Sequence, residues 1–280
     1  MEGATKIEYL FKRAIAPENS NCRMPRAVAF LAHFDDEVIA LGARLRRFAG
    51  AHLVHVTDSA PRNEKDSRAC GFAAAEGYRS ARQAEFRKAL NVVGLTNLNH
   101  QCFEIPDQEA SLCLLDLTWR MVQTLADYRP EIVLTHPYEG GHPDHDACAF
   151  GVHNAVAFRK RQKEPVPLII EAAFYHAGPN GIETGSFLQA DQPAEECCLP
   201  LSQKERQQKQ VLLACFTTQR ETLKYFSVDQ ECFRIAPAYD FQKPPHAPPV
   251  FYDGYPWGMH STRFCRLARK AEENLQERRQ

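Results

Sequence analysis

The chain has 280 residues, 44% of them hydrophobic and 25% charged, with 34 Lys and Arg against 35 Asp and Glu. This length can bury a full core without disulfides or a structural metal, and the balanced charge lacks the positive field that attracts nucleic acids or anionic lipids. No apolar stretch approaches the roughly 20 residues of a membrane-spanning helix, and the N-terminus has no secretory signal. We therefore expect a soluble cytoplasmic protein with no nucleic-acid partner and no membrane span.

Strand and helix patterns alternate through the first two-thirds of the chain. Short apolar runs predict strands at 27–32, 51–57, 97–103, 131–135 and 168–175. Helical spacing predicts a helix after the first strand, with Val38, Leu41, Leu45 and Phe48 on one face, and further helices at 80–93, 111–128 and 143–161. This alternation predicts an α/β, Rossmann-like fold with a mostly parallel sheet and helices on both faces.

The pattern weakens in the last third of the chain. Residues 178–185 are predicted as a loop, and a short strand is predicted to end at Leu199. Ser202 and Glu205 form a capping box for a helix at 202–215. The Pro- and aromatic-rich segment 236–258 is predicted to be an ordered flap, followed by a final helix at 261–280. Without repeats or linkers, we expect a single domain over 1–280, with a core at about 25–175 and a C-terminal extension at about 176–280.

Ten cysteines are scattered along the chain, and none forms a C-x-x-C pair. In a chain without a secretory signal, the expected state is reduced, with several thiols serving as small core residues. The sequence offers no physical explanation for the adjacent Cys197 and Cys198.

The first cluster of chemically active residues follows the first predicted strand. His33, Asp35, Asp36 and Glu37 lie within five residues. Carboxylates packed this closely repel one another unless a cation or a helix N-terminus offsets their charge, and ligands of open α/β sheets bind at this end of the strands. The alternative is that one Asp only caps the next helix, but a cap needs one carboxylate.

The second cluster lies between the predicted strand at 131–135 and the helix at 143–161. It contains His136, His142, Asp144 and His145, and Gly140 and Gly141 allow a tight turn before Pro143. Taken alone, His136 could be a core histidine, and His145 with Asp146 could be a first-turn charge pair. In the usual doubly wound order, the first and fourth strands are neighbours, so both clusters would meet over one crevice.

A site of two histidines and one aspartate with an open coordination position is typical of catalytic zinc or ferrous iron. Such an ion lowers the pKa of a bound water. The remaining Asp would then act as a base, and the remaining His as a cationic electrophile.

The motifs His33-x-Asp35-Asp36-Glu37 and Gly140-Gly141-His142-Pro143-Asp144-His145 resemble the signature of the PIG-L/LmbE-like deacetylase family. The resemblance extends to Arg82-x-x-Glu85, Pro106-Asp107 and the segment 251–257. Members of that family are metal-dependent hydrolases that remove the N-acetyl group from N-acetylglucosamine-type sugars.

The resemblance implies a role for each matching residue. His33, Asp36 and His145 would bind the metal, expected to be Zn²⁺ with Fe²⁺ as an alternative. Asp35 would be the general base, and His142, oriented by Asp144, would stabilise the oxyanion as an imidazolium. The expected substrate contacts are Arg82, Tyr138 and Glu139, although Arg82 could instead form only a salt bridge to Glu85.

Two positions depart from the family pattern, and both carry a phenylalanine. Phe34 stands where the family usually has Pro, and Phe216 where it often has His. The ligating side chains are unchanged, so we expect the ligand geometry to survive the first departure, whereas the second makes a polar role at position 216 doubtful.

Three alternatives to a sugar deacetylase are a related amidase acting on another small N-acyl substrate, an HD-type phosphohydrolase built on His145-Asp146, and a non-catalytic sugar- or metal-binding homologue. The predicted strands argue against the all-helical HD fold, and the retained Asp35 argues against loss of catalysis. The Walker A, G-x-G-x-x-G and G-x-S-x-G motifs are missing. In the flap, the candidates for determining substrate specificity are Tyr252, Tyr255, Trp257 and His260; alternatively, the flap only closes the core. The sequence leaves the oligomeric state open, with a homo-oligomer among the alternatives.

Overall fold

The computed structural model describes residues 5–18, 20–179, 181–188 and 196–277. Its strands are β1 (Ala27–Leu31), β2 (His52–Pro61), β3 (Asn99–Asp107), β4 (Ile132–Thr135), β5 (Leu168–Ala172), β6 (Tyr175–Gly178), β7 (Gly181–Thr184), β8 (Glu196–Pro200) and β9 (Gln230–Ile235). Its α-helices are α1 (Lys6–Ala14), α2 (Asp36–Leu41), α3 (Lys65–Ala69), α4 (Ala75–Val92), α5 (Leu114–Tyr128), α6 (Pro143–Arg161), α7 (Gln203–Leu213), α8 (Arg220–Leu223) and α9 (Ser261–Glu277).

The described strands form a seven-stranded sheet in the order β3-β2-β1-β4-β5-β9-β8 and a separate β6-β7 hairpin. The strands from β3 to β5 in this order pair in parallel, whereas β9 and β8 are antiparallel. The predicted mostly parallel α/β fold is therefore confirmed. The sheet also continues beyond the predicted core boundary at 175, because β9 and β8 extend it past β5.

Alternate residues of β1 enter two hydrophobic cores, one on each face of the sheet. Ala29 and Leu31 face the core that contains Phe86 of α4. Val28 and Phe30 face the core that contains Phe150 of α6. Both faces of the sheet are thus covered by helices, as predicted.

Helix α6 begins and ends where the sequence predicts, because Pro143 occupies its first turn and the His142 side chain caps it. The capping box of Ser202 and Glu205 at the start of α7 is also confirmed. The final helix ends at Glu277, and the predicted residues 278–280 lie outside the described part of the chain.

Several elements differ from the prediction. The strand predicted at 168–175 ends at Ala172, and the predicted loop at 178–185 instead contains β7, which pairs with β6 in a hairpin. Helices α1, α3 and α8 and strand β9 were not predicted. Strand β9 escapes a pattern search because charged residues interrupt its apolar run, and it is defined only by its partners β5 and β8.

The expectation of reduced cysteines is wrong at one pair. Cys198 and Cys232 form a disulfide between β8 and β9, since the antiparallel register places their Cα atoms 4.0 Å apart. The two residues are 34 positions apart in the chain, so only the strand pairing reveals their proximity. Cys197 keeps a free thiol.

The flap at 236–258 contains a short 3-10 helix, Phe251–Gly254, and otherwise follows an irregular path. Tyr252 is fully buried in the core beneath it. None of the described helices combines the length and the apolar character that crossing a bilayer requires.

Candidate active site

The two sequence clusters meet at the carboxyl edge of the sheet, because β1 and β4 are adjacent. A cleft of about 720 Å³ opens above them. The charged and imidazole side chains at its floor are His33, Asp35, Asp36, Arg82, Asp107, His142 and His145. This is the position that open α/β sheets use for ligand binding.

His33, Asp36 and His145 can hold a metal ion, because their ligand atoms all lie within 4.8 Å of one another. His33 Nδ1 lies 3.7 Å from Asp36 Oδ2, and His145 Nε2 lies 3.5 Å from Asp36 Oδ1. Ligands of a tetrahedral zinc ion at roughly 2 Å lie about 3.3 Å apart. The donor types and their spacing therefore fit a divalent metal with part of its coordination open to the cleft.

The opposite edge of the His33 ring faces two further carboxylates. Its Nε2 lies 3.1 Å from Asp107 Oδ1 and 3.2 Å from Asp144 Oδ2. Burial lowers the pKa of His33, but Asp107 and Asp144 outweigh burial and raise it well above its ordinary value. The same negative field favours a divalent cation, and a carboxylate behind a ligating histidine fixes its tautomer.

His33 also belongs to a second group that could hold a metal ion, together with Asp107, His142 and Asp144. In this group, Asp144 already accepts the backbone N–H groups of Gln108 at 2.6 Å and Ala110 at 3.0 Å. We therefore interpret these residues as partners that position the His33 ring and the loop after β3, and not as a second metal site.

His136 lies behind Asp36 and His145, deeper in the protein. Its Nε2 is 3.2 Å from Asp36 Oδ2 and accepts the Ala32 N–H at 3.0 Å, and its ring stacks on His145 with centroids 3.9 Å apart. Burial raises the pKa of Asp36, but His136 and His145 outweigh it and hold that pKa well below the ordinary value. Asp36 is thus kept as a carboxylate.

Asp35 occupies a strained backbone conformation with φ of 135°, which a non-glycine residue rarely adopts. Its Oδ2 lies 3.2 Å from Arg82 Nη2. Burial raises the pKa of Asp35 to about 7, although Arg82 opposes the rise and Asp36 adds to it. The carboxylate is therefore close to the range in which a general base works at neutral pH.

The relation between His142 and Asp144 differs from the sequence prediction. The Asp144 backbone N–H donates to His142 Nδ1 at 3.1 Å, whereas the Asp144 carboxylate is 3.8 Å from that nitrogen. Because Nδ1 accepts a hydrogen bond, the ring is neutral and carries its proton on Nε2. Burial and His33 lower the pKa of His142 well below its ordinary value, so the expected imidazolium oriented by the Asp144 side chain is not what the geometry supports.

The turn before His142 depends on two glycines. Gly140 has a φ of +70°, which favours glycine. At Gly141, a Cβ would clash with the carbonyl oxygen of Tyr175 in β6. The His142 turn is therefore in direct backbone contact with the β6-β7 hairpin.

Arg82 lines the cleft from α4. Its Nη1 is 4.0 Å from Glu85, so the alternative salt bridge is long, and Glu85 instead accepts hydrogen bonds from Thr217 and Thr218. Within the described residues, the buried Nε and Nη1 of Arg82 have no hydrogen-bond partner. Phe216, which stands where the family often has His, lies beneath the guanidinium at 5.9 Å.

Tyr138 and Glu139 do not reach the cleft. The Tyr138 hydroxyl donates to the Lys243 carbonyl at 2.8 Å, and its ring is buried against the flap. Glu139 pairs with Arg234 at 3.1 Å and accepts the Leu188 N–H at 2.8 Å. The sequence placed both residues at the correct end of β4 but could not show that their side chains turn away from the cleft.

Asp107 and Trp257 are cleft residues to which the sequence analysis gave no definite role. Asp107 is the last residue of β3. Ligands of open α/β sheets bind at the carboxyl ends of the strands, so extending this argument from the first and fourth strands to the third would have found Asp107. Trp257 packs against His142, with ring centroids 4.6 Å apart, and no sequence pattern predicts this long-range contact.

Fold and site together define an α/β protein with a candidate metal centre at the carboxyl edge of its sheet. Residues 28–156 match the model of the PIG-L family, described as GlcNAc-PI de-N-acetylase. The predicted resemblance is confirmed, because the matching segment contains both motifs, Arg82 and Asp107.

Solved structures with the same fold include two deacetylases and a hydratase. The A40926 pseudoaglycone deacetylase is 18% identical with a TM-score of 0.56, covering 75% of this chain and 96% of that chain. A zinc-inhibited form of teicoplanin deacetylase is 16% identical with a TM-score of 0.53, covering 75% and 97%. The 4-carboxy-2-hydroxymuconate hydratase of Pseudomonas putida is 16% identical with a TM-score of 0.53, covering 77% and 98%. At these identities the likeness concerns the fold, which hosts more than one chemistry.

Proposed function

We propose that the chain is a metal-dependent N-deacetylase that hydrolyses the acetamide of an N-acetylglucosamine-type sugar or glycoconjugate. The observation that carries the proposal is the His33, Asp36 and His145 cluster at the floor of a cleft, with Asp35 directly beside it. The description of the matching family, a de-N-acetylase of an N-acetylglucosamine compound, supports the acetyl group as the target.

His33, Asp36 and His145 would hold Zn²⁺, with Fe²⁺ as the alternative. When bound, such an ion supplies Lewis acidity that lowers the pKa of water and polarises the acetamide carbonyl. Asp35 accepts the proton of the attacking water and then delivers it to the departing amine. Arg82 pairs with Asp35 and favours its charged form.

His142 supplies the stabilisation of the developing oxyanion. Its Nδ1 is engaged by the Asp144 N–H, so its free Nε2–H can donate toward the cleft. A neutral imidazole at a helix N-terminus is a suitable donor, because the positive end of the helix disfavours protonation of the ring. Asp144 donates its backbone N–H to this ring, and its carboxylate accepts the Gln108 and Ala110 N–H groups and so holds the loop that follows Asp107.

Arg82 is also the proposed sugar contact. Its side chain lines the cleft beside Asp35, and a guanidinium is a strong donor for the hydroxyl oxygens of a bound sugar.

The decisive experiment combines elemental analysis with an acetate-release screen. The purified protein is loaded with Zn²⁺ or Fe²⁺ and incubated with N-acetylglucosamine, methyl N-acetylglucosaminide and a set of other small N-acetyl amines. We expect about one metal ion per chain and acetate release from the sugars. Release only from non-sugar amides would favour the amidase alternative, and metal binding without any release would favour a non-catalytic homologue.

A further inference from the structure

The cleft continues beyond the candidate metal centre along an aromatic wall formed by Tyr175, Phe226, Phe251, Tyr255 and Trp257. These rings come from β6, the segment after α8, and the flap. All five lie outside residues 28–156, which match the family model. The reacting end of the cleft and this wall therefore come from different parts of the chain.

The rings of the wall form a continuous series. Tyr255 stacks on Trp257 with centroids 4.5 Å apart, and Phe251 lies 4.9 Å from Tyr255. Tyr175 meets Phe251 at 5.6 Å and Phe226 at 5.9 Å, both edge to face. Contacts of this kind fix ring orientations and favour further aromatic stacking.

The series begins at the candidate active site. Trp257 lies 4.6 Å from the His142 ring, and Tyr175 lies 5.3 Å from the His145 ring. A substrate whose acetamide reaches these histidines would place its next group against the wall. The volume of about 720 Å³ is within the range of pockets that enclose drug-sized ligands, and it leaves room beyond a single sugar.

Closing the hydrophobic core explains only part of the wall, because Phe226 is a core residue at 8% exposure but the outer end of the wall is not buried. Within the flap, Tyr252 is fully buried and belongs to the core, whereas Tyr255 is 41% exposed. This short segment therefore places the Tyr252 side chain in the core and the Tyr255 side chain in the cleft. An exposed tyrosine that stacks on a tryptophan in the lining of a cleft offers a ring face against which an apolar group can pack.

The charges around the wall do not favour an anionic group. Lys224 pairs with Glu221 at 2.5 Å, and Lys65 lines the cleft beside Asp66. Cations and carboxylates of the cleft lining thus offset each other, and the wall itself carries no charged side chain.

We infer that the aromatic wall is an aglycone subsite, which binds an apolar, aryl-type group attached to the acetamido sugar. This inference rests on the proposed function, since it takes the sugar acetamide to lie at His33, Asp36 and His145. The preferred substrate is then an aryl glycoside, or a glycoconjugate with a flat apolar group next to the sugar.

The kinetic test compares phenyl and methyl N-acetyl-β-glucosaminide as substrates of the metal-loaded enzyme. One stacked ring contributes enough to expect a ratio of kcat/KM, phenyl over methyl, of about tenfold or more. Tyr255→Ala should reduce this ratio at least about threefold. Tyr9→Ala, at a tyrosine that is 57% exposed on α1, is the matched control and should leave the ratio unchanged.

A binding measurement makes the test independent of turnover. The chain has two tryptophans, so the Trp119→Phe, Asp35→Asn double variant reports on Trp257 fluorescence without hydrolysis. We expect phenyl N-acetyl-β-glucosaminide to change this fluorescence and to saturate at a concentration about tenfold below that of the methyl glycoside.

Equal kcat/KM for the two glycosides, or a ratio that Tyr255→Ala does not reduce, would overturn the aglycone subsite while leaving the deacetylase proposal intact. Acetate release from neither glycoside would instead contradict the deacetylase proposal. In that case, equal affinity for the two glycosides in the fluorescence measurement would also reject the subsite.

Discussion

Arg82 Nη2 lies 3.2 Å from Oδ2 of Asp35, and both side chains are buried at the floor of the cleft. Burial alone would favour the protonated acid, and Arg82 is the principal group that counteracts it. The pair thus links a residue of helix α4 to the proposed base at the end of β1.

Arg82→Met should lower kcat for acetate release by at least about tenfold, because loss of the cation raises the pKa of Asp35 and each unit lowers the charged fraction about tenfold. Arg82→Lys should recover part of the activity, since it restores a cation. Arg87→Met, at an exposed arginine of the same helix, is the control and should retain full activity. Wild-type kcat in Arg82→Met would contradict the proposed support of Asp35.

Two neighbouring isosteric substitutions separate metal binding from proton transfer. Asp35→Asn should retain the metal and lose roughly 10²–10⁴-fold in kcat, because the amide cannot accept the proton. Asn also tolerates positive φ better than most residues, so the backbone should be preserved. Asp36→Asn should instead lose the metal, since Asp36 lies between His33 and His145. Elemental analysis and acetate-release assays of both variants test this prediction. Loss of the metal in Asp35→Asn together with its retention in Asp36→Asn would exchange the roles of the two residues.

His142→Ala should lower kcat by roughly 10²–10³-fold, because it removes a donor for the oxyanion. His142→Gln, which keeps an N–H donor, should retain more activity than the alanine variant. The alanine substitution also removes the cap of α6 and should lower the free energy of unfolding by about 1 kcal/mol, measured by urea denaturation. A loss of stability without any change in kcat would show that His142 is only a cap.

Glu231 on β9 accepts from two cations at once. Arg44 and Lys209 lie 2.5 and 3.2 Å from its carboxylate, and all three side chains are buried. Glu231→Gln should lower the free energy of unfolding by roughly 3–5 kcal/mol, because it leaves two buried cations without a counter-charge. Glu64→Gln, which removes an exposed pair with Arg68, should cost less than about 1 kcal/mol. Urea denaturation of both variants measures the difference.

The central sheet and the meeting of the two motifs were predictable, because both depend on local signals. Alternating apolar runs define β1 and β4, Pro143 fixes the start of α6, and the usual strand order makes β1 and β4 neighbours. The same reasoning correctly brought His33, Asp36 and His145 together.

The remaining features depend on contacts between distant parts of the chain. The direction of a side chain at a strand end is set by its contact partners. Tyr138 turns toward the flap, where its hydroxyl binds the Lys243 carbonyl, and Glu139 turns toward Arg234. The neutral state of His142 depends on a backbone N–H two residues away, which a motif does not specify. The Cys198–Cys232 disulfide and the aromatic wall likewise arise only when the last third of the chain packs on the sheet.

The contact of Gly141 with Tyr175 joins the turn that carries His142 to the aromatic wall. The His142 turn and the hairpin that carries Tyr175 meet backbone to backbone, without a side chain between them to absorb a shift. A graft of residues 175–257 from a relative with different substrate preference would have to reproduce this clearance. The proposed aglycone subsite and the candidate active site, although they come from different parts of the chain, can therefore be exchanged only together.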